Sequence, residues 1–329
     1  MRILILGLGS IGRRHARCFK SVGAEAIAGF DPAADRRAQF DQEIGGTVFT
    51  TEADGLAWNP DVVVIASPNA FHIRQARLVA TAGKAMLIEK PLGTDLSEAR
   101  ELGQIIEAAG IYAHVGSNWK FHPAFKTMKS WISEQRLGTI TGVQALAGQW
   151  LPDWHPWEDY RNMYSSRADL GGGAIFDTHE LDYLTWLVGP VAEFCGFKAH
   201  SGVLDISTED VAACVLRFRN GALGVLLTDY IQRVPRRRYH ISGSKGTLEW
   251  DHTDGHLLLH LPGQRDAEQL DMRLADINDM YVAQASRVLE DVRQGGKPET
   301  PVSSMLRVLE LQTSWHRQRQ ETVERQSQS

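Results

Sequence analysis

The sequence predicts an α/β protein in two parts: a doubly wound parallel sheet, then an α+β domain with an open, mostly antiparallel sheet. Strand and helix patterns alternate through residues 1–118, which is typical of a parallel sheet covered by helices on both faces. A glycine-rich turn joins the first strand to the first helix. After residue 139, strand patterns succeed one another with few helices between them, which indicates antiparallel pairing. We therefore predict two domains, residues 1–118 and residues 119–329.

The first strand ends in a turn suited to phosphate binding. The apolar run Ile3–Leu6 leads into the segment GLGSIG, and a helical segment follows at once. In this context the first glycine permits the tight turn, the second lets a pyrophosphate approach the backbone, and the third lets helix and strand pack closely. The following helix N-terminus offers free N–H groups and a partial positive charge. The turn therefore predicts dinucleotide binding by its residues Gly7, Gly9, Ser10, Ile11 and Gly12.

The second strand indicates which dinucleotide. The run Ala26–Phe30 ends at Asp31, 19 residues after the last glycine of the turn. This is close to the ~20-residue spacing of the acid that binds the adenine ribose hydroxyls. A carboxylate there repels a 2′-phosphate, so we predict NAD as the cofactor and NADP as the less favoured one. Arg36 and Arg37 are predicted to lie on a solvated helix face.

The remaining elements of the first domain are apolar runs bounded by turns. The segment Asp61–Ser67 is almost wholly apolar, as expected of a strand buried on both faces. Six strands in this order place a ligand crevice at their carboxyl ends. Beyond those already named, the predicted strands are Thr47–Thr50, Ala85–Glu89 and Ile111–Gly116, and the predicted helices are Pro32–Ile44, Asn69–Ala82 and Asp95–Ala109.

The second domain begins with a helix and continues with strands. A glycine hinge and a helix interrupt the strands between residues 171 and 189, two helices follow the strands, and a polar tail ends the chain. Asp254-Gly255 predicts a hairpin turn, so His252, His256 and His260 are not expected to bind a metal. The predicted helices are Pro123–Glu134, Asn278–Arg293 and Ser303–Arg319, and the predicted strands are Thr139–Trp150, Val191–Lys198, Val211–Phe218, Ala222–Ile231, Arg238–Ser242 and Thr247–Trp250.

Composition excludes several classes of function. The chain has 329 residues, a formal net charge of −5, 43% hydrophobic and 23% charged residues. These values are typical of a globular protein and give no electrostatic reason to bind nucleic acid or an anionic membrane. Three cysteines far apart in sequence predict reduced thiols and a cytoplasmic protein. The arginine run 236–238 is expected to make a local anion contact or lie on a solvated edge.

Polar residues follow several strands of the first domain, where the crevice should lie. Some of them have a plainer interpretation, since Ser67 or Asn69 could simply cap a helix. A lysine at the mouth of an apolar crevice can have a lowered pKa, which suits Lys90 to proton transfer, although a surface turn is the alternative. These strand ends carry Ser67, Asn69, His72, Glu89, Lys90, Asn118 and Lys120, which we expect to line the cofactor and substrate sites.

A second polar cluster follows the glycine run 171–173. Asp177, His179, Glu180 and Asp182 stand at the start of the predicted helix. Histidine is the usual general base near neutral pH. The acids could equally be partners of the helix dipole, with His179 a core residue. The residues alone leave these alternatives open.

The motifs together resemble the Gfo/Idh/MocA oxidoreductase family. The resemblance rests on GLGSIGRRH, SPNAFH, EKPLG, NWKFHP, GGGAIFDTHELDYLTWLVG, GSKGTLEW and NDMY, in order over nearly the whole chain. It implies a Rossmann domain joined to a domain with an open sheet, and oxidation or reduction of a sugar or cyclitol at a nicotinamide cofactor. Some segments look closer to a bacterial subgroup that acts on surface-polysaccharide and sialic-acid-like sugars.

The resemblance also implies residue roles. The EKP lysine corresponds to Lys90, with Pro91 often cis, and the family histidine corresponds to His179. The family aspartate usually stands four residues before that histidine, whereas Asp177 stands two before it. Asp177 and Asp182 are therefore competing candidates, and we favour Asp177.

We expect hydride transfer with His179 as the base and Lys90 as a hydrogen-bond donor. Tyr160 and Arg161, in a loop rich in tryptophan, are expected to contact the substrate. The rival interpretations are a redox-assisted sugar lyase or glycosidase that regenerates NAD, and an NAD-binding sensor without catalysis. We further expect a homo-oligomer formed through the C-terminal sheet, with no nucleic-acid or membrane partner.

Overall fold

The computed structural model describes residues 1–317. Its first sheet has six parallel strands in the order β3-β2-β1-β4-β5-β6, which confirms the predicted doubly wound sheet. The direction of winding reverses between β1 and β4, and ligands bind at the carboxyl ends of strands at such a point. The strands are β1 (Arg2–Leu6), β2 (Ala26–Phe30), β3 (Thr47–Phe49), β4 (Val62–Ile65), β5 (Ala85–Ile88) and β6 (Ala113–Val115).

Helices connect these strands. Asp95 accepts a hydrogen bond from the N–H of Glu98 and caps α5, as its position before the helix predicts. The six-residue α3 was not predicted, because it is too short to show a periodic pattern, although Thr51 caps it in the same way. The helices are α1 (Ser10–Ser21), α2 (Ala34–Ile44), α3 (Glu52–Ala57), α4 (His72–Thr81) and α5 (Leu96–Ala109).

The second sheet has eight strands in the order β14-β13-β12-β11-β7-β10-β9-β8. Only the β7–β10 pair is parallel, so the predicted mostly antiparallel sheet is confirmed. The predicted Asp254-Gly255 turn joins β12 to β13, but β13 and β14 themselves were missed. The strands are β7 (Ile140–Gly148), β8 (Val191–Ala199), β9 (Val211–Phe218), β10 (Leu223–Asp229), β11 (Arg236–Gly243), β12 (Thr247–Asp251), β13 (His256–His260) and β14 (Glu268–Asp271).

Five further helices link the two sheets. One hydrophobic core contains Leu6 and Ile88 of the first sheet together with Tyr239 of the second. The domain boundary at residue 118 therefore stays a prediction about folding units that share a core. The helices are α6 (Pro123–Ser133), α7 (Ala174–Asp177), α8 (Glu180–Val188), α9 (Asn278–Gln294) and α10 (Val302–Arg317). The end of the predicted helix Ser303–Arg319 and the polar tail lie outside the described residues.

Two expected absences can be compared with the described chain. No helix within residues 1–317 is long and apolar enough to cross a membrane. In the same range, no group of three or more histidine, cysteine, aspartate or glutamate side chains could hold a metal ion.

Candidate active site

The glycine-rich turn packs too tightly for any side chain at two of its three glycines. Gly7 has φ +93°, and a Cβ there would lie 2.7 Å from the carbonyl oxygen of Ala66. A Cβ at Gly12 would lie 1.9 Å from the carbonyl oxygen of Gly7. A Cβ at Gly9 would meet only the Arg36 guanidinium, at 4.0 Å, so the backbone here is open to a ligand. The residues present therefore fit a dinucleotide whose pyrophosphate lies against the start of α1.

Asp31 lies beside this turn. Its carboxylate accepts hydrogen bonds from the backbone N–H groups of Leu8 and Ala33, both at 2.9 Å. Arg36 is half-exposed, 3.7 Å from the same carboxylate. Arg37 is partly exposed and donates to the carbonyl oxygens of Asp31 and Pro32.

The segment after β4 is held in place by hydrogen bonds within the protein. Ser67 donates to Gln75, and Asn69 donates 2.9 Å to the carbonyl oxygen of Gly171, so neither caps a helix. Asn69 thereby ties the first sheet to the glycine run of the second domain. His72 is buried, with both ring nitrogens 2.8 Å from the carbonyl oxygens of Ser67 and Pro91. We correct its expected role from cofactor contact to support of the turn at Pro91.

Glu89 is held by a histidine that sequence analysis did not single out. Its carboxylate lies 2.6 Å from Nε2 of His15 on α1. Burial acts to raise the pKa of Glu89, but the hydrogen bond and charge of His15, together with Lys90, leave it below its ordinary value. Glu89 is therefore an ionised group at the end of β5.

Lys90 meets Asp177 across the crevice. The Lys90-Pro91 peptide bond is cis. The Lys90 ammonium donates 2.8 Å to the backbone carbonyl oxygen of Asp177 and lies 3.5 Å from its carboxylate. The side chain of Lys90 keeps 16% of its surface exposed, whereas that of Asp177 keeps 3%.

Two tyrosines hold the Asp177 carboxylate from its other side. Tyr164 donates 2.8 Å to Oδ1, and Tyr230 donates 2.5 Å to Oδ2. Burial raises the pKa of both tyrosines well above the ordinary value, so both remain protonated donors. The sequence gives no sign that these tyrosines contact Asp177, because they lie 13 residues before it and 53 residues after it.

His179 immediately precedes α8 and is half-buried. Its Nδ1 lies 2.9 Å from the hydroxyl of Tyr183, one helical turn later. Burial, then the charges of Lys90 and Arg237, lower the pKa of His179 well below its ordinary value. His179 is therefore neutral at pH 7.

Asp182 belongs to a different pair. It accepts 2.8 Å from the Lys120 ammonium and 2.6 Å from the hydroxyl of Ser117. Lys120 also donates to Thr300. Because Lys120 and Asp182 are both buried and neutralise one another, the structure gives neither the expected substrate-facing position. Asn118 is buried and begins the short 3-10 turn that contains Lys120.

The structure pairs Tyr160 and Arg161 with other residues of the protein, and their expected contact with the substrate stays a prediction. Arg161 is 55% exposed and forms a bidentate ion pair with Asp159. The Tyr160 hydroxyl accepts from the backbone of Asp205. Asp159 stands two residues before Arg161, and Asp205 lies in the loop between β8 and β9.

One member of the arginine run reaches the site. Arg237 donates 2.7 Å to Glu180, which is fully buried next to His179, and its guanidinium lies 4.1 Å from the centre of the Trp119 ring. Arg236 and Arg238 pair instead with Asp251 on β12. The predicted local anion contacts are thus internal carboxylates.

A doubly wound sheet, an open glycine turn and a polar crevice at the carboxyl ends of the parallel strands are typical of a nicotinamide-dependent oxidoreductase. Residues 1–117 match the model of an oxidoreductase family with an NAD-binding Rossmann fold, and residues 125–249 match the GFO/IDH/MocA C-terminal domain. The chain belongs to the GFO/IDH/MocA oxidoreductase family.

Known relatives extend over most of the chain. Myo-inositol 2-dehydrogenase of Thermotoga maritima is 26% identical over 91% of this chain and 90% of its own. D-apiose dehydrogenase of Paraburkholderia graminis is 27% identical over 93% and 84%. The WlbA dehydrogenase of Bordetella pertussis, solved with NADH and UDP-GlcNAcA, superposes with a TM-score of 0.85 at 24% identity over 96% and 94%.

Proposed function

We propose that the protein transfers a hydride between NAD and a hydroxyl-bearing or keto carbon of a sugar, sugar derivative or cyclitol. The observation that carries this is the convergence of Lys90 with Asp177 and His179 at the carboxyl edge of the parallel sheet. Bound NAD supplies the hydride acceptor, as cofactors do in such enzymes. The chain supplies orientation and a path for the hydroxyl proton.

Each group of the crevice has a proposed task. Gly7, Gly9 and Gly12, with Ser10 and Ile11, hold the pyrophosphate, and six further residues contact the cofactor. They are Asp31, Ser67, Asn69, Glu89, Lys90 and Asn118. Lys90 and His179 face the reacting oxygen, and Asp177 fixes Lys90 through both its carbonyl and its carboxylate.

Incubating the enzyme with NAD and a panel of sugars and cyclitols, while following absorbance of NADH, tests this proposal. One NADH should form for each substrate consumed. Substrate consumption without net NADH would show the redox-assisted lyase instead, and binding of NAD without turnover on any sugar or cyclitol would favour the sensor. Titration with NAD and NADP at one salt concentration should favour NAD, because Asp31 repels a 2′-phosphate.

The second copy of this chain is the partner we propose for the outer face of the second sheet. Most of the exposed alternate residues of β9 and β10 are apolar, with Arg217 the exception, and Val215 lies directly opposite Val225. With Phe197, which is 71% exposed, they form one apolar patch, which typically marks an interaction surface. Sedimentation of the wild type should show an oligomer that Val225→Lys dissociates, and a monomeric wild type would contradict this.

We place the protein in the cytoplasm.

A further inference from the structure

Tyr183 has a hydroxyl with few possible partners. The side chain is fully buried on α8, so its O–H group must find an acceptor inside the protein. The hydroxyl oxygen already accepts from the backbone N–H of Trp119, at 3.3 Å. Within the described chain, the one acceptor in hydrogen-bond reach of its proton is Nδ1 of His179, at 2.9 Å.

This arrangement fixes where His179 carries its proton. If Tyr183 donates to Nδ1, that nitrogen is unprotonated, and a neutral imidazole must then be protonated at Nε2. The opposite tautomer would direct two donors at one hydroxyl oxygen and leave a buried O–H without an acceptor. Burial raises the pKa of Tyr183 well above its ordinary value and lowers that of His179, so both groups stay neutral.

Nε2 is the nitrogen left for a ligand. It has no hydrogen-bond partner within residues 1–317, and His179 is only half-buried. A protonated Nε2 can donate a hydrogen bond to a substrate oxygen but cannot accept the proton of a substrate hydroxyl. His179 is thus unsuited to the role of base that the sequence suggested.

We propose that Tyr183 is a positioning residue that holds His179 in the Nε2-protonated tautomer, so that His179 donates to the substrate oxygen and Lys90 exchanges the proton. This inference rests on the proposed function for its catalytic consequence. The tautomer itself can be observed without substrate or cofactor.

Lys90 is arranged to exchange a proton. The Lys90 ammonium has three N–H donors and must release one proton before oxidation. The neutral amine that then takes part has two N–H donors, for which the carbonyl and carboxylate of Asp177 are the acceptors, and one lone pair. During oxidation the substrate O–H bond breaks and its proton forms a third N–H bond at Nζ. The electron pair of the O–H bond forms the second carbon–oxygen bond as the hydride leaves the carbon for NAD. His179 keeps its proton throughout.

The first test reads the tautomer by NMR of protein labelled with ¹⁵N-histidine, at pH 7 and without ligands. The His179 signals are assigned by their loss in His179→Gln. We expect Nε2 protonated and Nδ1 unprotonated. Protonation at Nδ1, or at both nitrogens, in the wild type would overturn the proposal, and this outcome needs no variant of Tyr183 to fold.

Matched tyrosine variants locate the cause. Tyr183→Phe should replace the single tautomer by a mixture, because the donor to Nδ1 is gone. Tyr239→Phe is the control, since Tyr239 is equally buried and contacts Glu180 rather than His179. An unchanged tautomer in Tyr183→Phe would show that Tyr183 does not hold it.

Kinetics separate a donor from a base. The amide of glutamine can donate from near the Nε2 position but cannot act as a base at pH 7. We expect kcat/KM of His179→Gln to exceed that of His179→Ala by at least about tenfold, as retention of one good hydrogen bond to the reacting oxygen implies. Equal losses would mean that His179 takes the proton. If no sugar or cyclitol is turned over, the proposed function fails while the NMR result still decides the tautomer.

Discussion

The ion pairs Lys90–Asp177 and Lys120–Asp182 each join a strand end of the first sheet to the segment around His179, but they differ in solvent exposure. We call Lys120–Asp182 the closed pair and Lys90–Asp177 the open pair. Lys90 follows β5 and Lys120 follows β6, and their partners Asp177 and Asp182 lie five residues apart around His179. The Lys120–Asp182 pair is 2.8 Å apart, with side-chain exposures of 3% and 8%. The Lys90–Asp177 pair is 3.5 Å apart, and Lys90 is 16% exposed.

Pairing with a carboxylate is therefore not enough to make a lysine catalytic. In the closed pair, Ser117 also donates to Asp182, Lys120 also donates to Thr300, and both charged side chains are buried, so the charges stabilise each other and the fold. In the open pair, tyrosines hold the aspartate while the lysine retains access to the crevice. A charged group that is fixed on one side and free on the other is suited to chemistry.

Removal of Lys90 should give the largest effect on activity. Lys90→Ala should lower kcat by about 10²–10⁴-fold, the usual contribution of general acid–base catalysis, while NAD affinity changes little. Steady-state kinetics and cofactor titration on one preparation measure both. A variant that retains most of its kcat would exclude Lys90 from proton transfer.

Removal of Lys120 should instead act on stability. Lys120→Ala leaves the buried Asp182 carboxylate unpaired, which typically costs about 3–5 kcal/mol. Denaturant unfolding of this variant and of the double variant Lys120→Met/Asp182→Leu measures the cost. The double variant, having no unpaired charge, should recover much of the loss, and a single variant as stable as the wild type would contradict the assignment.

The tyrosines around Asp177 should have a smaller effect. Tyr230→Phe removes one charged hydrogen bond, typically about 1.5–3 kcal/mol, and loosens the carboxylate that fixes Lys90. We expect kcat to fall by about tenfold or more, the fold-change that this free energy corresponds to, while KM for NAD stays constant. Tyr112→Phe, which alters a tyrosine bonded to Asp291, is the control. Equal kcat in both variants would mean that Asp177 needs no such support.

The sequence predicted the parts of the site that depend on local pattern. Gly7, Gly9, Gly12 and Lys90 were found because strand ends and glycine spacing place them at the crevice whatever the rest of the chain does. Tyr164 and Tyr230 were missed because only tertiary folding brings them there. For the same reason, the sequence could not tell which member of the arginine run 236–238 reaches the site. Asp177 and Asp182 could not be separated, since helical spacing places both near His179 and only the positions of Lys90 and Lys120 distinguish them.

A buried histidine near the closed pair predicts that the free energy of unfolding depends on pH. His114 lies on β6, where burial, then the charge of Lys120, lowers its pKa to about 3. The unfolded chain, with a pKa of about 6.5, binds more protons between these values, so stability falls as pH decreases below about 6.5. The loss is about 2 kcal/mol at pH 5, since one pKa unit corresponds to about 1.4 kcal/mol.

Unfolding measured at pH 7 and pH 5 tests this smaller effect. His114→Gln should reduce the dependence but not abolish it, because burial also lowers the pKa of His122, to about 4. His260→Gln, at an exposed position on β13, should leave it unchanged. The same slope in His114→Gln and the wild type would mean that His114 is not the group responsible.

Double-mutant cycles test whether the Lys90–Asp177 pair serves catalysis and the Lys120–Asp182 pair serves stability. One cycle combines Lys90→Ala with Asp177→Asn, and the other combines Lys120→Met with Asp182→Asn; kcat/KM and the free energy of unfolding are measured for every variant. We predict that the first pair is coupled in kcat/KM and the second in the free energy of unfolding, by about 0.5–3 kcal/mol each. Coupling of Lys90 and Asp177 in stability alone, or of Lys120 and Asp182 in kcat/KM to the same extent as the first pair, would contradict the distinction between an open catalytic pair and a closed structural one.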